Sequence, residues 1–191
     1  MSALAPWHTE SSRTLLDLKP WFSIIEDTVQ LPSGRIVNDF YRIEAADYVL
    51  ISARRDDGCI LMERHYKQCL GRTVLTSPAG GVDAGEEPLK AAQRELLEET
   101  GFEAAHWTSM GSFVVDGTRG ICTAHLFAAE KLRQVAAPVL NDMEEFELLF
   151  MTAADIRTAV QEGEITLLPD IAILSMTLGG LTGNHAKGGD L

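Results

Sequence analysis

The chain has 191 residues, of which 46% are hydrophobic and 23% charged, and 16 basic against 28 acidic side chains give a formal net charge of −12. This composition suffices for a hydrophobic core and excludes a mainly disordered chain. No apolar run approaches the roughly 20 residues of a membrane-spanning helix, and the acidic balance lacks the basic face of a nucleic-acid-binding protein. We expect one domain, or one domain with an arm, without a membrane or nucleic-acid partner.

The three cysteines, Cys59, Cys69 and Cys122, include no CxxC pair. Disulfides are rare in the reducing cytosol, so we interpret these residues as reduced, mostly structural thiols. Residues 1–13 lack the basic start and apolar run of a signal peptide. Together these features predict a cytoplasmic protein.

Strand patterns dominate the first eighty residues. Residues 1 to about 20 are expected to be irregular, and strands are predicted at 22–29, 38–44, 47–53 and 59–64. Turns are indicated at Pro32-Ser33-Gly34 and at Asp57-Gly58, the second of which favours a hairpin.

Helices enter in the second half of the chain. The pattern predicts helices at 87–100, 152–161 and 170–178, with strands at 107–116, 121–130 and 147–151. Pro88 suits a first helical turn, Gly101 suits a C-terminal cap, and Thr152 with Asp155 resembles a capping box. Strands and helices without regular βαβ alternation favour a mixed α/β sheet sandwiched by helices.

Three glutamates, Glu95, Glu98 and Glu99, share one arc of the helix predicted at 87–100. At about 100° per residue, Glu98 lies about 60° to one side of Glu95 and Glu99 about 40° to the other. Like charges so placed repel one another unless a cation lies among them. The arc therefore indicates a divalent-cation site, and the alternative is a solvated acidic face.

The loop before this helix adds a backbone and a side-chain feature. Glycines at 80, 81 and 85 permit sharp bends, and such a loop can turn a carbonyl oxygen toward a cation. Glu86 lies within reach of Arg94, and an ion pair between them would hold the loop against the helix.

The segment 80–102 resembles the signature of the Nudix hydrolases. That signature is Gly, five residues, Glu, seven residues, then Arg-Glu-aliphatic-any-Glu-Glu-any-Gly-aliphatic. The chain supplies Gly80, Glu86, Arg94-Glu95-Leu96, Glu98-Glu99 and Gly101-Phe102, and only Phe102 departs from the usual aliphatic residue. The resemblance implies a Nudix-type α/β/α sandwich with an N-terminal β-strand arm. We expect the arm at 1–45, the Nudix domain at 46–178 and a flexible Gly-rich tail at 179–191.

The resemblance also implies roles for these residues. The family hydrolyses a nucleoside diphosphate linked to another group and uses Mg²⁺ or Mn²⁺. Glu95, Glu98 and Glu99 match the metal-binding positions, to which the carbonyl at or just before Gly80 often adds a ligand. Glu86 and Arg94 match the supporting pair, and Glu95, Glu98, Glu86 and Arg94 are all candidate catalytic residues.

Flanking residues, over about 22–178, resemble the ADP-ribose and ADP-sugar pyrophosphatases. Residues 78–80 match their Pro-Ala-Gly, although Thr76 stands where that group often has Glu. Residues 65–67, His-Tyr-Lys, resemble their Gln-Tyr-Arg strand end. Arg64 and Lys67 are therefore either diphosphate-binding residues or an exposed strand end.

Two further loops bear on substrate and catalysis. In the 115–120 loop Asp116 replaces the proline of the group's Pro-Gly, so another ADP- or GDP-sugar fits as well as ADP-ribose. Arg119 in that loop either contacts a phosphate or sugar or faces water. In the acidic loop at 142–147, Glu144 or Glu145 is the candidate for the catalytic base or a further metal ligand, and the alternative is a solvated loop.

The arm bears on assembly, because in this group the early strands often cross to a partner subunit and help to build the base site. Trp21, Phe40 and Tyr41 either stack on a purine or belong to the core. Crossed arms would make the protein a homodimer.

The resulting prediction is a Mg²⁺-dependent pyrophosphohydrolase. It would cleave a nucleoside diphosphate sugar, such as ADP-ribose, to a nucleoside monophosphate and a sugar phosphate. Two alternatives stay open. A nucleoside triphosphate pyrophosphohydrolase would usually be shorter and lack the arm, and a non-catalytic ADP-ribose sensor would typically lose box glutamates.

Overall fold

The computed structural model describes residues 5–139 and 146–181, which form two compact units. Within these residues the smaller unit comprises 5–46 and Val114–Thr123, and the larger comprises Asp47–Phe113 and the part that follows from Ala124. Most of the tail predicted at 179–191 lies outside the described residues.

The smaller unit is a three-stranded antiparallel sheet in the order β1-β2-β3, made of His8–Leu18, Phe22–Gln30 and Ile36–Ala45. The expectation that residues 1–20 are irregular was therefore wrong for β1. Every residue of β1 is exposed, so the strand lacks the alternation of apolar and polar residues that marks a half-buried strand. Its backbone pairing with β2, from His8 opposite Gln30 to Leu18 opposite Phe22, defines it instead.

The larger unit contains a mixed sheet in the order β10-β5-β4-β9-β8, in which β6 also pairs with β5 and β7 with β4. Strands β4 and β9 are parallel, whereas β5 is antiparallel to β4, β6 and β10. This confirms the predicted mixed sheet. The strands are β4 Tyr48–Arg54, β5 Ile60–Lys67, β6 Arg72–Thr76, β7 Ala79–Gly81, β8 Phe102–Val114, β9 Thr123–Gln134 and β10 Phe146–Met151.

The three predicted helices are present as α1 Pro88–Thr100, α2 Ala153–Gln161 and α3 Leu168–Gly179. Thr152 and Asp155 form the predicted capping box at the start of α2, because each backbone N–H donates to the other residue's side chain. A short 3₁₀ helix, Gln68–Leu70, was not predicted.

Both faces of the large sheet are covered by helices. On one face Leu50, Met62 and Leu126 belong to a buried cluster with residues of α2 and α3, including Ile156 and Ile173. On the other face a second cluster joins strand residues to α1 and comprises Val49, Ile51, Ala53, Leu61, Ala91, Ala92, Leu96, Phe127 and Ala129. This arrangement is the predicted α/β/α sandwich. None of the helices in the described ranges is long and apolar enough to cross a membrane.

Candidate active site

Helix α1 presents a glutamate-rich face because its other face is buried. Ala91, Ala92 and Leu96 lie in the core, whereas the side chain of Glu98 is half exposed. The helix ends at Thr100 and is capped by Gly101, whose φ of 72° is left-handed. A Cβ there would lie 2.2 Å from the carbonyl oxygen of Ala136, so the close approach of that chain also requires glycine.

Arg94 is the centre of an ion-pair network around the loop that precedes α1. Its Nε and Nη2 donate to the two carboxylate oxygens of Glu86 at 3.1 and 3.0 Å, and Nη2 also donates to the carbonyl of Gly81 at 3.0 Å. Its Nη1 donates to Glu95 at 2.6 Å and to Glu98 at 3.3 Å. One guanidinium thus contacts the loop and two glutamates of the helix, and the Arg94–Glu86 contact is the pair expected from the sequence.

This network keeps Glu86 ionised. The Arg94 guanidinium lowers the pKa of the Glu86 carboxyl, and the backbone N–H of Asp83 lowers it further. The carboxylates of Glu86 and Glu95 in turn raise the pKa of Arg94, so Arg94 and Glu86 both stay charged at neutral pH.

Gly80 lies directly against the carboxylate of Glu95. A Cβ at this position would be 1.9 Å from the Glu95 carboxyl carbon, which no side chain can occupy. The glycine therefore brings its backbone and the Glu95 carboxylate into contact, with no side chain between them.

The segment that leads to Gly80, residues 76–79, is hydrogen-bonded at every residue. His65 Nε2 is 3.0 Å from Thr76 Oγ1, and the Ser77 N–H donates to Asp170 Oδ1 at 2.6 Å. The carbonyl of Pro78 accepts from Ile51 at 2.9 Å. The Ala79 N–H donates to Glu99 Oε2 at 3.1 Å. Together these four contacts fix the path of the chain from Thr76 to Gly80.

The residues fit a hard divalent cation by their chemistry. Glu95, Glu98, Glu99 and the carbonyl at Gly80 are all oxygen donors, and Gly80 leaves the space beside Glu95 free of a side chain. In the part of the chain that the structure describes, no three acidic, histidine or cysteine side chains form a ready-made metal cluster. Arg94 Nη1 donates to both Glu95 and Glu98, whereas Glu99 accepts from the Ala79 N–H, so the three glutamates have different hydrogen-bond partners.

A cavity of about 230 Å³ lies beside Glu99, and it extends from β4 and β5 to the start of α3. Burial, with a contribution from Lys67, lowers the pKa of His65 to about 4, so this ring is neutral at pH 7. Burial raises the pKa of Asp170 to about 6, although the Ser77 hydrogen bonds and Lys67 act in the opposite direction.

The structure separates the two basic residues that the sequence suggested for the diphosphate. Lys67 lines the cavity beside Glu99. Arg64 instead lies 3.7 Å from carboxylate oxygens of both Glu147 and Glu164. Strand alternation explains the difference, because residues 64 and 67 point to opposite faces of β5.

The remaining candidates lie in the smaller unit or outside the described residues. Trp21, between β1 and β2, is 73% exposed, and Tyr41 on β3 is exposed as well. Arg119 donates to Asp116 Oδ2 at 2.7 Å within the 115–120 loop. Glu144 and Glu145 lie outside the described residues.

With this geometry in place, comparison with known proteins gives the family. A family model described as "NUDIX domain" matches residues 43–171. The chain belongs to the Nudix family. A second family model, "Nucleoside diphosphate sugar hydrolase N-terminal domain", matches residues 7–43.

Relatives support the same Nudix assignment. The chain is 32% identical over 142 residues to an ADP-ribose pyrophosphatase of Bacillus subtilis (strain 168), covering 74% of this chain and 76% of the relative. It is 31% identical over 169 residues to an ADP-ribose pyrophosphatase of Mycobacterium tuberculosis, covering 86% and 77%. These matches confirm the predicted enzyme class: the chain is a Nudix hydrolase similar to ADP-ribose pyrophosphatases.

A solved structure confirms the Nudix fold. A crystal structure of an ADP compounds hydrolase superposes with a TM-score of 0.82 and covers 94% of this chain and 96% of that one. The sequence identity is 17%, so this match concerns the fold.

Sequence reasoning missed the polar lining of the cavity. Glu63 and Asp170 are each 2% exposed and line it, yet neither was singled out. A signal existed for Glu63, because it alternates with His65 and Lys67 along one strand. No local signal existed for Asp170, which reaches Ser77 across 93 residues of sequence.

Proposed function

We propose that this Nudix hydrolase is a divalent-cation-dependent pyrophosphohydrolase of nucleoside diphosphate sugars. ADP-ribose or a similar ADP-sugar would be cleaved to a nucleoside monophosphate and a sugar phosphate. The observation that carries the proposal is the complete Nudix network, in which Arg94 joins Glu86, Glu95 and Glu98 next to Gly80. The family description of residues 7–43 and the names of the two relatives support the substrate class.

Each charged group of the network has a distinct proposed task. Glu95, Glu98, Glu99 and the carbonyl at Gly80 would hold Mg²⁺ or Mn²⁺. A bound divalent cation supplies positive charge that neutralises a diphosphate. Arg94 and Glu86 hold the loop in place around these ligands, and Lys67 adds positive charge in the neighbouring cavity.

The identity of the residue that takes the proton from the attacking water stays a prediction. Glu144 and Glu145 remain the candidates beside Glu95 and Glu98. Substitution of each by Gln would identify the base, since loss of a general base lowers kcat by about 100- to 10,000-fold. Substrate contacts from Arg64, Trp21 and Arg119 are likewise proposals, each testable by alanine substitution and measurement of KM.

The arm, residues 1–45, is proposed to make the protein a homodimer. Leu16, Leu18 and Trp21 are exposed on or next to β1, and an exposed strand with apolar side chains favours pairing with another chain. Light scattering should give twice the monomer mass. Leu18→Asp should shift the mass to that of the monomer, and a wild-type monomer at all concentrations would overturn the proposal.

Product analysis on a substrate panel tests the proposed activity. The panel is ADP-ribose, ADP-glucose, GDP-mannose, NADH and a deoxynucleoside triphosphate, each with Mg²⁺, with Mn²⁺ and with a chelator. We expect a nucleoside monophosphate from at least one diphosphate sugar, only with metal. Cleavage of the triphosphate alone would favour the triphosphatase. Binding of ADP-ribose without cleavage of any compound would favour the sensor.

A further inference from the structure

Three alternate residues of β5 face the cavity beside Glu99. Glu63, His65 and Lys67 all line it, as expected for positions two apart on one strand. Glu63 is the most buried of the three, with 2% of its surface exposed. Glu63 lies on an interior strand, because β5 pairs with β4, β6 and β10. A buried carboxyl costs free energy unless its oxygens are hydrogen-bonded, so a carboxyl in the wall of a cavity is suited to accept hydrogen bonds from a bound ligand.

The hydrogen-bonding character of the cavity favours a neutral ligand rich in hydroxyl groups. Carboxyl groups of Glu63, Asp170 and Glu99 line it, against one cation, Lys67. A carboxylate has about four acceptor positions and can therefore accept from a ligand in addition to its contacts in the protein. Phosphate oxygens only accept and would meet these carboxylates without a proton between them, whereas sugar hydroxyls donate.

The size and place of the cavity point to one part of the substrate. About 230 Å³ is less than the roughly 300 Å³ at which pockets begin to enclose a whole drug-sized ligand. Glu99 of the Nudix helix lies in its wall, so a group bound there is adjacent to the proposed metal ligands. A single sugar joined directly to the diphosphate meets both conditions.

We propose that this cavity is the subsite for the sugar of the nucleoside diphosphate sugar, and that Glu63 determines specificity by accepting hydrogen bonds from the sugar hydroxyls. The inference rests on the proposed function. It assigns to Glu63 the selection of a polyhydroxy leaving group over a phosphate or an alkyl group. Carboxylates commonly recognise ribose hydroxyls in this way in other nucleotide sites.

The first test uses the wild-type enzyme with two substrates that differ only in the sugar. ADP-ribose and the β-methyl ester of ADP share the nucleoside and the diphosphate. We expect kcat/KM to be at least about 100-fold higher for ADP-ribose, because a site built to bind hydroxyl groups rejects an analogue that lacks them. Equal kcat/KM values would overturn the subsite and leave the proposed function intact, whereas no cleavage of any diphosphate sugar would overturn the proposed function itself.

The second test is Glu63→Gln, which keeps the volume of the side chain. We expect kcat/KM for ADP-ribose to fall at least about 10-fold through a higher KM, with the methyl ester changed by less than about 3-fold. Glu103→Gln is the matched control, since this carboxylate is exposed and pairs with Arg133 outside the cavity. An equal loss on both substrates would show that Glu63 is structural, and unfolding temperatures of both variants will separate a folding defect from a binding defect.

Discussion

Strands β1 and β4 represent opposite ways of stabilising a strand. All residues of β1 are exposed, whereas β4 has five consecutive buried residues between its two ends. Strand β4 is therefore held by apolar packing on both faces, and β1 by its backbone ladder and the surface ion pair of Arg13 with Glu26. Function follows the same division: the larger unit holds the Nudix network within its own residues, while the arm adds exposed surface.

The largest effect is expected in the larger unit, where Glu99→Gln should abolish the hydrolase activity without changing the fold. If Glu99 holds the cation, kcat should fall by about 1,000-fold, equivalent to about 4 kcal/mol of transition-state stabilisation. Steady-state kinetics with circular dichroism as a folding check measure this. Glu103→Gln is the control, because Glu103 is an exposed partner of Arg133. A variant with a tenth of the wild-type kcat would contradict the assignment.

The second prediction concerns pH and the buried carboxyl of Asp170. Its pKa in the folded protein, about 6, is above the ordinary 3.8, so ionisation costs stability as the pH rises from about 4 through 6. Asp170→Asn removes this cost. The free energy of unfolding of the variant relative to wild type should therefore rise by about 2 kcal/mol between pH 4 and pH 7.

Urea unfolding at pH 4, 5, 6 and 7 measures this difference, and Asp155→Asn provides a control of opposite sign. Thr152 lowers the pKa of Asp155, so the stability from that carboxylate is present at neutral pH and is lost at low pH. A pH-independent difference for the Asp170 variant would show that this carboxyl is not perturbed.

A feature of the fold or of the site could be predicted from the sequence where the residues that define it are close together along the chain. Helix α1 was predicted because Pro88 and Gly101 lie at its two ends. The capping box of α2 was predicted because Thr152 and Asp155 are only three residues apart. Strand β1 was missed because its pairing, and not its pattern, defines it. The Nudix residues were found because one helix and its loop contain them, whereas the cavity lining comes from several distant elements.

The third prediction addresses the contact between α3 and the segment before Gly80. Asp170→Ala leaves the buried Ser77 N–H without its acceptor. We expect kcat and the affinity for Mn²⁺ to fall by about 10-fold, as for other residues that position metal ligands. Asn keeps an acceptor oxygen, so Asp170→Asn should restore most of both. Mn²⁺ binding followed by electron paramagnetic resonance gives a readout independent of turnover.

Asp155→Ala is the control for this third prediction, since it removes a carboxylate from the same position of another helix. It should lower stability, because it removes one half of the capping box, and leave Mn²⁺ affinity unchanged. Equal effects of the two alanine variants on Mn²⁺ would mean that Asp170 supports the fold alone.

The smallest predicted effect lies in the arm. Arg13 donates to Glu26 across β1 and β2 at 2.6 Å, but 71% of its side chain is exposed. Arg13→Ala should therefore change the free energy of unfolding by less than about 0.5 kcal/mol, and less still at high salt. Arg42→Ala should cost several-fold more, because it leaves Asp27, with 5% of its side chain exposed, without its ion-pair partner. Equal losses in chemical denaturation would mean that a buried ion-pair partner contributes no more than an exposed one, and the contrast between exposed and buried positions would then fail within the arm itself.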